Sequence, residues 1–425
     1  MKPTFIISSP FDTFSGYGAR SRDVIKAIIA TDKYDVKLLS QRWGNTPFGF
    51  CKENPQFTDL LELVIPSPLT SKPDIWMQIT VPNEFQPVGN YNIGVTAGIE
   101  TTVVPGEFVE GVNRMDITLT SSNHSKNVFL NSQFEKKDNN GKVLGTTKVE
   151  KPIEVLMEGA DLDTYKVINT PCSLDINIKE DFAYLFVGHW LPGDIGEDRK
   201  NVGLLVKAFF ETFKNKSKKP ALILKTSIVG ASHMDRDEVL KRINSIKQTV
   251  NSTDLPNIYL LHGDLTDTEM NELYNHSKVK AMVTTTKGEG FGRPLLEFCT
   301  TGKPIIASGW SGHLDFLNTG FTTLLKGHLE NVHPSSVNNW LTAESKWFQV
   351  DPKDLKSSLK GMFKKYKEYS IKGKKQKQYV KTNFSWDKMH ILIHNILDDK
   401  NKVPEIAQQI ELNLPKLDLP KLKKL

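Results

Sequence analysis

The chain has 425 residues, 38% of them hydrophobic and 24% charged, with a formal net charge of +6. That length is too great for one ordinary core and predicts two domains of globular composition. No run approaches the ~18–20 apolar residues that cross a bilayer. Three widely spaced cysteines, Cys51, Cys172 and Cys299, argue against a disulfide framework, and no His/Cys cluster has metal-ligand spacing; the expectation is a cytoplasmic, reduced protein without structural metal.

The first residues hold too short an apolar stretch for a secretory signal and read as a strand over residues 4–8. A loop over residues 9–18, containing Ser15-Gly16-Tyr17-Gly18, leads to a helix with Val24, Ile25, Ile28 and Ile29 on one face. A strand over 36–40 follows. Strand, loop, helix, strand is the opening of a doubly wound α/β fold. Residues 75–79, 91–96 and 116–121 are further strand candidates, Asn139-Asn140-Gly141-Lys142 is a turn insertion, and 151–156 is another strand. A second series then alternates strands over 182–188, 221–226, 258–262 and 279–286 with helices over 202–213, 235–250 and 268–276. Two such series predict two Rossmann-like domains, each a parallel sheet with helices on both faces. Pro171 and Asn177 interrupt the pattern and place the linker near residues 162–178.

From residue 353 to 381 eleven lysines stand against two acids, Asp354 and Glu368. Such a run is either a solvated helix face or a contact with something anionic: a membrane surface, a nucleic acid or an acidic glycan. Beyond Lys400, Leu414-Pro415-Lys416-Leu417 recurs as Leu419-Pro420-Lys421-Leu422. The prolines forbid a regular helix there, which leaves an extended tail.

The most informative segment is 288–304, Gly-Glu-Gly-Phe-Gly-Arg-Pro-Leu-Leu-Glu-Phe-Cys-Thr-Thr-Gly-Lys-Pro. Glu289 and Glu297 stand eight positions apart, with a Gly290-Phe291-Gly292 turn and a proline suited to a first helical turn between them. A strand ending in a glycine turn that opens a helix gathers free N–H groups and the positive helix end at one point, a seat for an anion. Carboxylates on either side accept hydrogen bonds from hydroxyl groups. Phosphate donors flanked by hydroxyl acceptors describe a sugar-nucleotide site.

With Pro294, Leu295, Leu296, Gly302, Lys303 and Pro304 also in place, the segment resembles the Glu-x7-Glu signature of the retaining glycosyltransferases of family 4. The resemblance implies the GT-B architecture: an acceptor domain over 1–165, a nucleotide-sugar domain over 166–385, a helix over 386–398 that crosses back to the first domain, and an appended tail over 399–425. It implies that Glu297, in the first turn of the helix after Arg293-Pro294, holds ribose hydroxyls, that Glu289 contacts the transferred sugar, and that Gly290, Phe291 and Gly292 offer backbone N–H groups. Gly188-His189-Trp190 with Arg199-Lys200-Asn201 is similar to the family's diphosphate clamp. His189 stands where the family more often has arginine, and Arg293 replaces a usual apolar residue. Gly16, Tyr17 and Gly18 are expected at the cleft, and Glu100 falls where relatives carry an active-site histidine. His124 or Lys126 is expected on the acceptor side, with a helix cap at Ser122 or Asn123 as the other reading.

The implied reaction is transfer from a nucleoside-diphosphate sugar, without cofactor or metal, to a hydroxyl of a glycan, lipid-linked sugar or protein. No Asp-x-Asp metal motif of the metal-dependent glycosyltransferase type is evident. A hydroxylated DNA base is an alternative acceptor, since the chain is basic; a GT-B-like binding subunit without turnover is the alternative of another class. Nothing suggests the pyridoxal-phosphate lysine of a sugar phosphorylase.

Overall fold

Strands buried on both faces need continuous apolar runs, and this chain supplies them twice. The computed structural model describes residues 2–66, 69–137, 140–168, 174, 176–228 and 232–399. Cys172, Asn139, Pro171 and the tail from Lys400 onward lie outside the described residues.

The first domain contains β1 (Thr4–Ser9), α1 (Gly16–Ile29), β2 (Asp35–Ser40), a single turn α2 (Phe50–Glu53), β3 (Ile75–Ile79), β4 (Tyr91–Val95), α3 (Gly106–Arg114), β5 (Ile117–Thr120) and α4 (Asn123–Asn131). An antiparallel hairpin of β6 (Gln133–Lys137) and β7 (Val143–Lys148) precedes β8 (Ile153–Val155). The main sheet has the order β2-β1-β3-β4-β5-β8, and each neighbouring pair is parallel. Every residue of β3 and β4 is buried, as a sheet covered on both faces requires.

The second domain contains β9 (Ala183–Val187), α5 (Val202–Phe213), β10 (Ala221–Lys225), α6 (His233–Thr249), β11 (Ile258–Leu261), α7 (Asp267–Asn275), β12 (Val279–Val283), α8 (Arg293–Cys299), β13 (Ile305–Ser308) and β14 (Thr323–Leu325). A second antiparallel hairpin, β15 (Gly327–Asn331) and β16 (Lys346–Val350), leads to α9 (Pro352–Lys364), α10 (Tyr366–Asn383) and α11 (Trp386–Asp398). The sheet order is β11-β10-β9-β12-β13-β14, again parallel throughout. Counted within the domain this is 3-2-1-4-5-6, the doubly wound order. The expected pair of doubly wound α/β domains is therefore what the chain forms.

After α10 the chain returns to the first domain. Ala160 N donates to Phe384 O and Trp386 N donates to Ala160 O, each at 2.8 Å. Met389, Ile393 and Ile396 of α11 then complete a core with Val24, Ile25 and Ile28 of α1.

Two expectations differ in detail. Gly16-Tyr17-Gly18 is not loop but the first turn of α1, because Ser15 caps the helix early by accepting from Gly18 N at 2.9 Å. Glu297 lies past the first turn of α8, since Gly292 is the N-cap. The β15–β16 hairpin escapes the sequence pattern because Gly327–Asn331 is mostly exposed and shows no alternation.

Candidate functional site at the domain interface

In a doubly wound sheet the strand order reverses at one place, and the loops leaving the two central strands splay apart there to form a crevice. In the second domain those strands are β9 and β12. Their loops carry Arg199-Lys200 and Gly288–Gly292 respectively, and they are tied together. Lys287 N donates to Arg199 O at 2.7 Å and Thr285 Oγ1 donates to Asn201 O at 2.9 Å.

Glu289 is the centre of the first cluster. Its carboxylate receives Lys200 Nζ at 2.5 Å and Arg199 Nη1 at 3.5 Å, and its backbone N donates to Ser311 Oγ at 2.9 Å. Burial alone would raise this carboxyl's pKa, but Lys200 and Arg199 overcome it and hold it down at about 2. Arg199 also reaches Glu100 of the first domain, Nη2 to Oε1 at 3.5 Å. Arg199, Lys200, Glu289 and Glu100 thus form one charge cluster that spans both domains.

The glycines of the turn serve a close approach. A Cβ on Gly290 would stand 2.7 Å from Ala97 O, and one on Gly288 would stand 1.9 Å from Glu100 O, so the first domain's backbone sits where side chains would be. Ser121 and Ser122 hydroxyls donate to Gly290 O at 3.1 and 2.7 Å. Gly292 has φ 100° and turns the chain into α8.

Arg293 organises the second cluster. Its guanidinium meets Asp23 Oδ2 at 2.6 Å, Glu297 Oε1 at 3.1 Å and Glu158 Oε2 at 3.5 Å. One cation serves three acids, so they cannot all ionise freely. Burial, with Asp267 nearby, outweighs Arg293 and raises the Glu297 carboxyl from 4.5 to about 8, while burial likewise raises Glu158. Tyr274 Oη donates to Glu297 Oε2 at 3.3 Å. Glu297 is 8% exposed and does not border the interdomain cavity.

That cavity, of about 280 Å³, has Gly16, Tyr17 and Glu100 on one side and Glu289, Gly290, Phe291, Arg293 and Trp340 on the other. Gly18 stays outside it; a Cβ there would lie 2.4 Å from Thr13 O, which makes it a packing glycine. His189, at the exit of β9, is exposed, with Nδ1 3.2 Å from Ser227 Oγ. Although the residue as a whole is exposed, desolvation of its ring and then the neighbouring Lys200, Lys225 and Arg199 lower its pKa. Ser122 is the N-cap of α4. His124 packs edge-on against Trp310 across the interface, centroids 4.7 Å apart, and Lys126 pairs with Glu154 at 3.4 Å. A larger hollow of about 520 Å³ between the 190–203 loop and α6 is lined by Trp190 but by none of His189, Arg199, Lys200, Glu289 and Glu297.

Asp23, Trp43, Ser311 and Trp340 also take part, and no sequence motif marks them. No spacing pattern links Asp23 or Trp43 to residues some 270 or 300 positions later. Ser311, with φ 83°, offered a faint signal in Gly309-Trp310-Ser311-Gly312, a small-residue turn after a strand. The lysine-rich stretch forms α9 and α10, with Lys364, Lys365, Lys367, Lys372, Lys374 and Lys375 exposed. Among the described residues no group of three or more His, Cys, Asp or Glu is arranged to hold a metal ion, and no helix is long and apolar enough to cross a membrane.

A sequence search of curated proteins finds no match. Solved structures do match, across nearly the whole chain. Anabaena HepE in complex with UDP and glucose covers 93% of this chain and 100% of its own, with 13% identity and a TM-score of 0.60. A glycosyltransferase from Rickettsia africae covers 94% and 98%, with 16% identity and a TM-score of 0.61. Sucrose-phosphate synthase from Thermosynechococcus elongatus covers 93% and 98%, with 13% identity and a TM-score of 0.58. At such identities the likeness establishes the fold. The sequence family described as "Glycosyl transferases group 1" matches residues 184–332, the stretch holding Arg199, Lys200, Glu289 and Glu297. The chain accordingly has the GT-B fold, and residues 184–332 of its second domain are similar to the glycosyl transferases group 1 family.

Proposed function

We propose that the protein is a retaining glycosyltransferase of the family 4 kind, moving a sugar from a nucleoside-diphosphate sugar to a hydroxyl acceptor without a divalent metal. The observation that carries this reading is the ionised Glu289, gripped by Lys200 and Arg199 at the crevice outside β9 and β12. A departing diphosphate gathers negative charge, and fixed cations beside it stabilise the transition state more than the ground state. Lys200 and Arg199 are those cations, and Glu289 accepts hydrogen bonds from the sugar hydroxyls. Glu297 takes the ribose hydroxyls once Arg293 releases it. The leaving phosphate removes the acceptor proton on the same face, so no side chain forms a covalent bond to sugar. The transferred sugar is a hexose or pentose, and UDP is the first nucleotide to try because HepE structures contain UDP, UDP with glucose, or UDP-glucose.

The test is thermal stabilisation by UDP, GDP, ADP and their sugars, followed by donor hydrolysis. A nucleotide at ~100 times its dissociation constant raises stability by about 2.7 kcal/mol. Hydrolysis that persists undiminished in Glu289→Ala would sink the reading.

A further inference from the structure

The mouth of the interdomain cavity is built from aromatic faces contributed by both domains. The Tyr17 ring stacks on Trp43 with centroids 3.9 Å apart and planes at 26°. Trp340, from the connection between β15 and β16, comes within 6.4 Å of Trp43 at 39°. These positions are fixed by hydrogen bonds. Tyr17 Oη pairs with Thr96 Oγ1 at 3.0 Å and accepts from Ala97 N at 3.2 Å. Asn338 Oδ1 accepts from Trp340 N at 2.8 Å and Leu341 N at 3.0 Å, while Asn338 N donates to Leu341 O. Trp340 is nevertheless 53% exposed. A pinned turn thus holds a large apolar ring in water above the cavity, which costs hydrophobic free energy unless something stacks there.

The polar part of the wall is rich in hydrogen-bond acceptors. Glu100, Glu158 and Glu289 border the cavity, against Arg293 alone. Arg199 and Lys200 are already engaged with Glu100 and Glu289. A phosphate entering from the aromatic side finds each of these cations already held by carboxylates, Arg293 by Asp23, Glu158 and Glu297. A ring with hydroxyl groups meets acceptors for its hydrogen bonds and flat apolar faces for its C–H surface.

We propose that Tyr17, Trp43 and Trp340 with Glu100 form the acceptor subsite, and that the acceptor is an uncharged saccharide ring rather than a sugar phosphate, a lipid diphosphate sugar or a DNA base. The proposal rests on the donor reading above and narrows it: the sugar's hydroxyl oxygen attacks the donor's anomeric carbon, the bond to the diphosphate breaks, and the proton leaves with the diphosphate.

The experiment uses the full chain, the donor that the thermal-shift panel selects, and three probes: p-nitrophenyl glycosides of common hexoses, glucose 6-phosphate, and a DNA duplex bearing hydroxymethylcytosine. Transfer to at least one neutral glycoside is expected, with saturating glycoside quenching or shifting tryptophan fluorescence. Trp340→Ala raises that glycoside's KM by about tenfold or more, and Trp340→Phe recovers most of it. Because Trp340 stands on an exposed turn, its removal leaves no buried void; Trp43→Ala is the second variant. Preferred transfer to glucose 6-phosphate or to the duplex overturns the proposal, as does an unmoved KM in both alanine variants, or failure of every glycoside when a nucleotide does bind. If no nucleotide stabilises the protein, the donor reading itself falls and the subsite with it.

Discussion

Glu289 and Glu297 are spaced as one motif, yet their surroundings drive them to opposite protonation states. Glu289 faces two cations; Glu297 shares one with two other acids. Glu289→Ala is expected to slow turnover with little change in donor KM, and Glu297→Ala to raise donor KM, as steady-state kinetics on the selected donor will measure. Lys200→Ala removes a cation placed for the leaving group and should cost ~3–4 kcal/mol of transition-state stabilisation, read as kcat. The pH dependence separates the two acids. Glu289, lowered from 4.5 to about 2, contributes stability that is complete above 4.5 and lost as pH falls towards 2. Glu297, raised from 4.5 to about 8, contributes stability that is complete below 4.5 and lost as pH rises through 8. The melting temperature of the native protein should therefore fall relative to Glu297→Gln across that window; parallel curves would contradict the assignment.

Among the elements, α11 and α10 are the most exposed to single changes. Ile393 is fully buried between α11 and the core of the first domain, so Ile393→Ala should cost ~2–5 kcal/mol, measured by denaturant unfolding. On α10, a Cβ at Gly373 would lie 2.5 Å from Gly302 O, so Gly373→Ala pushes α10 off the turn that follows α8 and should destabilise by ~1–3 kcal/mol. Most element positions were legible beforehand because both sheets are buried: 75–79 and 202–213 match the strand and helix that form. The β15–β16 hairpin, which delivers Trp340, was not legible because its first strand is exposed and owes its conformation to pairing with the buried β16 rather than to pattern.

For the whole molecule, Arg293 is the main electrostatic tie between the domains. It departs from the apolar residue usual in the resembling family, and its place in space explains that: it neutralises Asp23 of α1 and Glu158 beyond β8. Arg293→Ala strands buried carboxylates and should cost ~3–5 kcal/mol. It should also widen the crevice, visible as a larger radius of gyration in solution scattering; an unchanged radius would locate the tie elsewhere.

The amino-acid order alone determined the two alternating β/α series, the glycine turn with its paired glutamates, and the basic residues ahead of α5. Each of these is a local pattern set by burial, turn chemistry or helix capping. The tertiary structure decided the partners: which acid Lys200 holds, that Arg293 reaches back to Asp23, and that Tyr17, Trp43 and Trp340 meet over one cavity. Such pairings join residues hundreds of positions apart. They arise only when two separately wound sheets close on each other, a geometry that no local spacing encodes.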